Sequence, residues 1–184
     1  MNNTQQKQRD IYVEKRCTEM GFNPNWFEQM EQILEEQEAL ITLEAQTMVD
    51  NFWAQITERK LAGESQGRLG VRIIDREGYK IQIVWYRKQW FGPKDDKKLF
   101  GKAIPKGRNR NKYPMQRFSG FTDWEQELVE MFEDDFALLR EASGAVADQR
   151  KAMDRAKKAY GALGYTETAL VDMGEPELEE AWGI

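Results

Sequence analysis

The hydrophobic period of this chain changes twice, and the segment between the changes decides what it can fold into. Apolar residues recur at steps of three and four up to about Leu61. They alternate from Leu69 to about Ile104, then return to helical steps at Trp124. Alternation puts neighbours on opposite faces of a strand, whereas steps of three and four line one side of a helix. The chain must therefore place a β-region between two long helices. Charge reverses in the same place. From Arg68 to Arg117 the chain holds 15 of its 27 Lys and Arg residues and four of its 32 acids, so a segment at +11 sits in a remainder at −16. Aromatic residues interleave these cations: Tyr79, Trp85, Tyr86, Trp90, Phe91, Phe100 and Tyr113, with Phe118 just beyond. Cations alternating with flat rings suit a polyanion that also offers faces to stack on, which describes nucleic acid. A solvated sheet rim with a basic loop has the same composition.

Composition removes several classes of chemistry. There is no histidine, which excludes Ser-His and Cys-His nucleophiles, imidazole proton transfer and His-metal sites. The single cysteine, Cys17, cannot form an intrachain disulfide and fits a reducing cytoplasm. No apolar run is long enough to span a membrane, and the opening MNNTQQKQRD lacks the apolar stretch of a secretory signal. A cytoplasmic, soluble protein without cofactor or metal is expected.

Taken in order, residues 1–22 read as a short helix or a disordered end. A single α+β domain should cover 23–163. Its first helix, 23–61, opens with Asn23 as cap and Pro24 at the first helical position. The apolar stripe is Trp26, Phe27, Met30, Ile33, Leu34, Ile41, Ala45, Met48, Phe52, Trp53 and Ile56, with an acidic face opposite. Two strands, Leu69–Asp75 and Tyr79–Arg87, flank a tight turn at Arg76-Glu77-Gly78. Trp90-Phe91-Gly92-Pro93 should break the second strand, Lys94–Lys98 should form an exposed turn, and Leu99–Ile104 a third strand. The expected fold is a small three-stranded antiparallel meander flanked by two long helices that pack over its apolar face. The second helix, 123–163, starts at the capping box Thr122-Asp123-Trp124-Glu125. Its stripe is Trp124, Leu128, Met131, Phe132, Phe136 and Leu139, with Ser143-Gly144 as an interruption and Glu133-Asp134-Asp135 as an exposed acidic face. Residues 164–184 form an acidic tail.

The sheet and basic loop, 68–117, hold the candidate site. Arg72, Lys80, Arg87, Lys88, Lys102, Lys106, Arg108, Arg110, Lys112 and Arg117 are the candidates for phosphate contact. Arg108 and Arg110, with the amides Asn109 and Asn111, carry donors and acceptors suited to guanine and adenine edges. Tyr86 and Trp90 could stack on bases. No phosphate-binding glycine loop, C-x-x-C or other catalytic motif is present, and Tyr79, Tyr86 and Tyr113 lack a recognisable clamp for phosphodiester chemistry.

Val71-Arg72-Ile73, the run Ile81-Gln82-Ile83-Val84-Trp85-Tyr86-Arg87, Ile104-Pro105-Lys106-Gly107, Tyr113-Pro114, Phe118 and Trp124-Glu125 together resemble the MobI accessory mobilisation factors of conjugative elements. The resemblance covers about Phe52 to Arg140. It implies a DNA-binding protein that recognises a transfer origin and helps a separate relaxase load, without cutting DNA itself. DNA, most readily duplex, is then the expected partner, alongside a relaxase or other conjugation proteins, and the long helices offer a surface for homodimerisation. The alternative is a protein-interaction adaptor whose acidic helices and tail bind such a partner.

Overall fold

A computed structural model describes residues 15, 26–65, 67–74, 80–93, 98–108 and 111–163. Helix α1 spans Trp26–Leu61, strands β1, β2 and β3 span Leu69–Ile74, Gln82–Phe91 and Lys98–Ala103, and a 3-10 turn covers Met115–Phe118. Helix α2 spans Asp123–Ala162. The strands form one antiparallel sheet in the order β1-β2-β3. The expected α+β arrangement of meander and two long helices is the one observed. The described residues fall into two compact units, one within Met1–Leu34 and Gln149–Ile184 and the other within Glu35–Asp148.

The larger unit holds the core. Alternation turns Leu69 and Val71 of β1 and Ile81, Ile83 and Trp85 inward, where they meet Ala45, Val49 and Phe52 of α1 and Leu128, Val129, Phe132 and Phe136 of α2. Trp85 is the centre. Its ring packs edge-on against Phe52, Phe118 and Phe136 at centroid distances of 5.3, 5.8 and 5.6 Å. Such geometry adds about 0.5–1.5 kcal/mol per pair to the gain from burial. In the smaller unit, Trp26, Phe27 and Tyr160 form a ring cluster, and Lys157 donates to Glu31 at 2.8 Å.

The capping box forms as expected, with the Thr122 N–H donating to Glu125 Oε2 at 3.0 Å. Other expectations need correction. Met30, Ile33 and Met131, assigned to the apolar stripes, are exposed, while Val49 and Val129 are buried. Successive helix positions turn by about 100°, so Ile33 lies off the side on which Leu34 is buried, and Met131 off the side on which Phe132 is buried. Ser143-Gly144 does not interrupt α2, because the Ser143 hydroxyl is turned inward and accepts the Ile81 N–H at 3.0 Å. Glu133 is not on an exposed acidic face: it is 1% exposed, whereas Asp134 and Asp135 face solvent. Strand β2 does not break at Trp90. It runs to Phe91, because β3 pairs with it there (Trp90↔Leu99, Phe91↔Lys98), and Gly92 at φ 111° ends it. Strand β3 begins at Lys98, one residue before the expected start, and β2 begins at Gln82.

Several expectations fall outside the described residues. These are the helix start at Asn23-Pro24, the turn Arg76–Gly78 with Tyr79, the turn residues Lys94–Lys97, and the acidic tail 164–184. Of residues 1–25 only Lys15, helical and exposed, is described.

Candidate nucleic-acid interface

A buried polar network fixes the basic loop to the sheet. Glu133, on α2, accepts the Trp85 indole N–H at 2.6 Å and the Tyr113 backbone N–H at 2.6 Å. Arg140, two helical turns later, pairs with both Glu133 oxygens at 2.9 and 3.2 Å. The same guanidinium donates to the carbonyls of Ile83 at 3.0 Å and Asn111 at 2.6 Å. One ion pair thus ties together α2, the edge of β2 and both Asn111 and Tyr113 of the loop. An ion pair is costly to bury, but here every carboxylate oxygen has two donors, which offsets the desolvation. A second buried carboxylate, Glu125, accepts the N–H groups of Arg68 and Leu69 at 2.5 and 2.7 Å, holding the start of β1.

Two depressions flank the chain segment that leaves β3. The first, about 250 Å³, is lined by Arg87, Gln89, Lys102, Ala103, Ile104, Pro105 and Arg117. Arg87 faces Lys102 across the ladder, and its guanidinium lies 4.4 Å from the Phe121 ring, which holds the charge at the rim. Arg117 comes from the 3-10 turn, with Nη2 3.7 Å from where a Cβ would stand at Gly107 (φ 80°). The second depression, about 270 Å³, is lined by Lys80, Gln82, Val84, Lys106, Asn111, Tyr113 and Arg140 among others. Burial, then repulsion from Arg140 and Lys80, holds the Lys106 ammonium below its ordinary value. Among the described residues, none of Lys80, Arg87, Lys102, Lys106 and Arg117 has a carboxylate within ion-pair distance. Cations that crowd one another without counter-charges leave a local excess of positive potential.

The other expected site residues lie apart from this group. Arg72 is exposed on the outer face of β1, opposite Val84 in the ladder, and lines neither depression; its guanidinium lies 5.4 Å from the Tyr86 ring. Tyr86 itself is half-buried over Gly70 and Gly101, and desolvation raises its hydroxyl above the ordinary value. Lys88 turns toward α1, its ammonium 4.6 Å from the Trp53 ring, and burial lowers its value. Lys112 is ion-paired with Asp134. Arg108 is exposed beside Gly107, Asn111 contributes its carbonyl to Arg140, and Asn109 and Arg110 lie outside the described residues. Trp90 stands in the exposed end of β2. Sequence reasoning missed Arg140 and Glu133. The available signal was their spacing, since both fall on the α2 stripe with Val129, Phe136 and Ser143.

Among the described residues no helix is long and apolar enough to cross a membrane, and no cluster of His, Cys, Asp or Glu side chains could hold a metal ion. The family described as MobI protein matches residues 40–154, well over half of the chain and the whole stretch from the core of α1 through the network of α2. The chain belongs to the MobI family. The MobI match takes in the sheet, both depressions and the Glu133–Arg140 pair, and membership assigns the chain a role in conjugative mobilisation as an accessory protein. No curated protein and no solved structure matches the chain.

Proposed function

We propose that this MobI-family chain is a cytoplasmic accessory factor of conjugative transfer that binds duplex DNA at the transfer origin and assists a relaxase without cutting DNA. The observation that supports the reading is the cluster Arg87, Lys102 and Arg117 around one depression, with Lys80 and Lys106 lining a second, all five free of described carboxylate partners. Phosphate oxygens are the ligand such unpaired cations favour, and release of condensed counterions supplies the affinity. The test is fluorescence anisotropy with a transfer-origin duplex and a shuffled duplex. The intact chain should bind both and favour the origin. The R87Q/K102Q/R117Q variant, folded by circular dichroism, should lose at least tenfold in affinity for each. Equal binding by the variant would remove the proposal and leave the adaptor reading, in which the basic surface docks on an acidic protein.

A further inference from the structure

Beyond its contact with α1 and the loop, the β2–β3 ribbon carries an apolar end that no described element covers. Trp90 and Leu99 pair directly on one face, 58% and 52% exposed. Phe91 and Phe100 lie diagonally on the other, 56% and 59% exposed, with ring centroids 6.0 Å apart. A two-stranded ribbon has no core of its own, so large side chains more than half exposed on both faces contribute only through their cross-strand contacts in the free protein. The charge around them indicates what covers them. From residue 86 to residue 103 the chain carries six cations, Arg87, Lys88, Lys94, Lys97, Lys98 and Lys102, against two acids, Asp95 and Asp96. A second copy pairing along β3 would set these cations against one another, and lysines on an edge strand oppose such pairing. A polyanion with an apolar interior reverses both penalties. Phe and Leu side chains have no hydrogen-bonding groups with which to read base edges, but they can wedge between stacked bases while flanking cations hold the phosphates.

We propose that the exposed apolar side chains Trp90, Phe91, Leu99 and Phe100 of the β2–β3 ribbon face the groove of duplex DNA, that one of them inserts at a base step, and that the duplex bends. This rests on the duplex-binding reading above and adds deformation to it. Cationic depressions alone would hold DNA without bending it. With the ribbon inserted, the preferred site includes a flexible pyrimidine–purine step, which unstacks at the least cost.

The experiment uses the full chain and mixed-sequence duplexes labelled at both ends for energy transfer, one with a central TA step and one with a stiff A-tract. Anisotropy on the same samples reports binding. The expected result is binding to both, a clear shortening of end-to-end distance on the TA duplex and a smaller one on the A-tract. The W90S/F91S/L99S/F100S variant leaves the main core intact but gives up the Trp90–Leu99 and Phe91–Phe100 contacts, so it should melt somewhat below the parent while staying folded by circular dichroism at the assay temperature. It should bind about tenfold more weakly, with an unchanged salt slope and no shortening. Binding by the parent without bending, or bending by the variant equal to the parent's, overturns the ribbon proposal while leaving DNA binding intact. Absence of binding by the parent overturns both. A parent dimer in sedimentation that the ribbon variant abolishes, with DNA geometry unaffected, assigns the apolar end to self-association and overturns the proposal.

Discussion

Replacing Glu133 by Gln removes one charge and reverses half of a binding geometry. The carboxylate receives four N–H groups, from Trp85, Tyr113 and twice from Arg140, at 2.6 to 3.2 Å. An amide has one oxygen, so its NH2 must face two of those donors. The Arg140 guanidinium, 5% exposed as a residue, is left without its counter-charge. Removing one partner of a buried ion pair costs about 3–5 kcal/mol, because the remaining charge stays desolvated. For a chain of this size each kcal/mol moves the melting temperature by about 2–4 °C, so a drop of about 6–20 °C is expected. Urea denaturation followed by circular dichroism measures the free energy directly. In a cycle, E133L with R140M should be less destabilised than the sum of the two single variants, since neither charge is then stranded. D135N, on an exposed neighbour, should leave the midpoint unchanged. A loss below about 1 kcal/mol for E133Q would refute the claim that this pair fixes the loop.

Other expectations follow from local geometry. A Cβ at Gly70 would stand 2.5 Å from Tyr86 Cζ, so G70A should cost about 1–3 kcal/mol, most of it recovered in G70A/Y86L, as read by denaturant midpoints. Lys157, through its hydrogen bond and charge, holds Glu31 below 4.5, so this contact stabilises above that value and is lost as pH falls through the lowered folded value. Glu31 is partly solvated, so the difference between the parent and E31Q should stay within about 1 kcal/mol at neutral pH and vanish in acid. Lys106 lies below 10.5 in the folded chain, so between the two values the unfolded chain binds more protons and stability rises with pH. DNA affinity should fall over the same interval, because phosphate contact needs the ammonium charged. K106Q should flatten both trends in parallel stability and anisotropy titrations.

The fold was legible where a period was long and the residue types agreed with it. The core strand residues Val71, Ile81, Ile83 and Trp85 alternate cleanly, and the Thr122–Glu125 capping box marks the start of α2 to the residue. Legibility failed where tertiary partners override local chemistry. Glu133-Asp134-Asp135 looks like a solvated run, yet one of the three is the buried acceptor for Arg140, and only position on the helical stripe distinguishes it. Trp90-Phe91-Gly92-Pro93 looks like a terminator, yet pairing with β3 carries the strand two residues into it. For the site, the segment was visible as charge, but charge alone does not say which cations converge. Arg87, Lys102 and Arg117 meet because the meander returns β3 beside β2 and the 3-10 turn closes behind them. Lys88 and Lys112, equally basic in sequence, are drawn to Trp53 and Asp134.

The most direct measurement is the salt dependence of duplex binding by the intact chain and by R87Q/K102Q/R117Q. If Lys80, Arg87, Lys102, Lys106 and Arg117 each neutralise a phosphate, log K against log salt should have a slope of about −4.5, and the triple substitution should make it shallower by about 2.7. A slope near zero for the intact chain, or one that the substitutions leave unchanged, would contradict a phosphate-binding surface at this place in the fold.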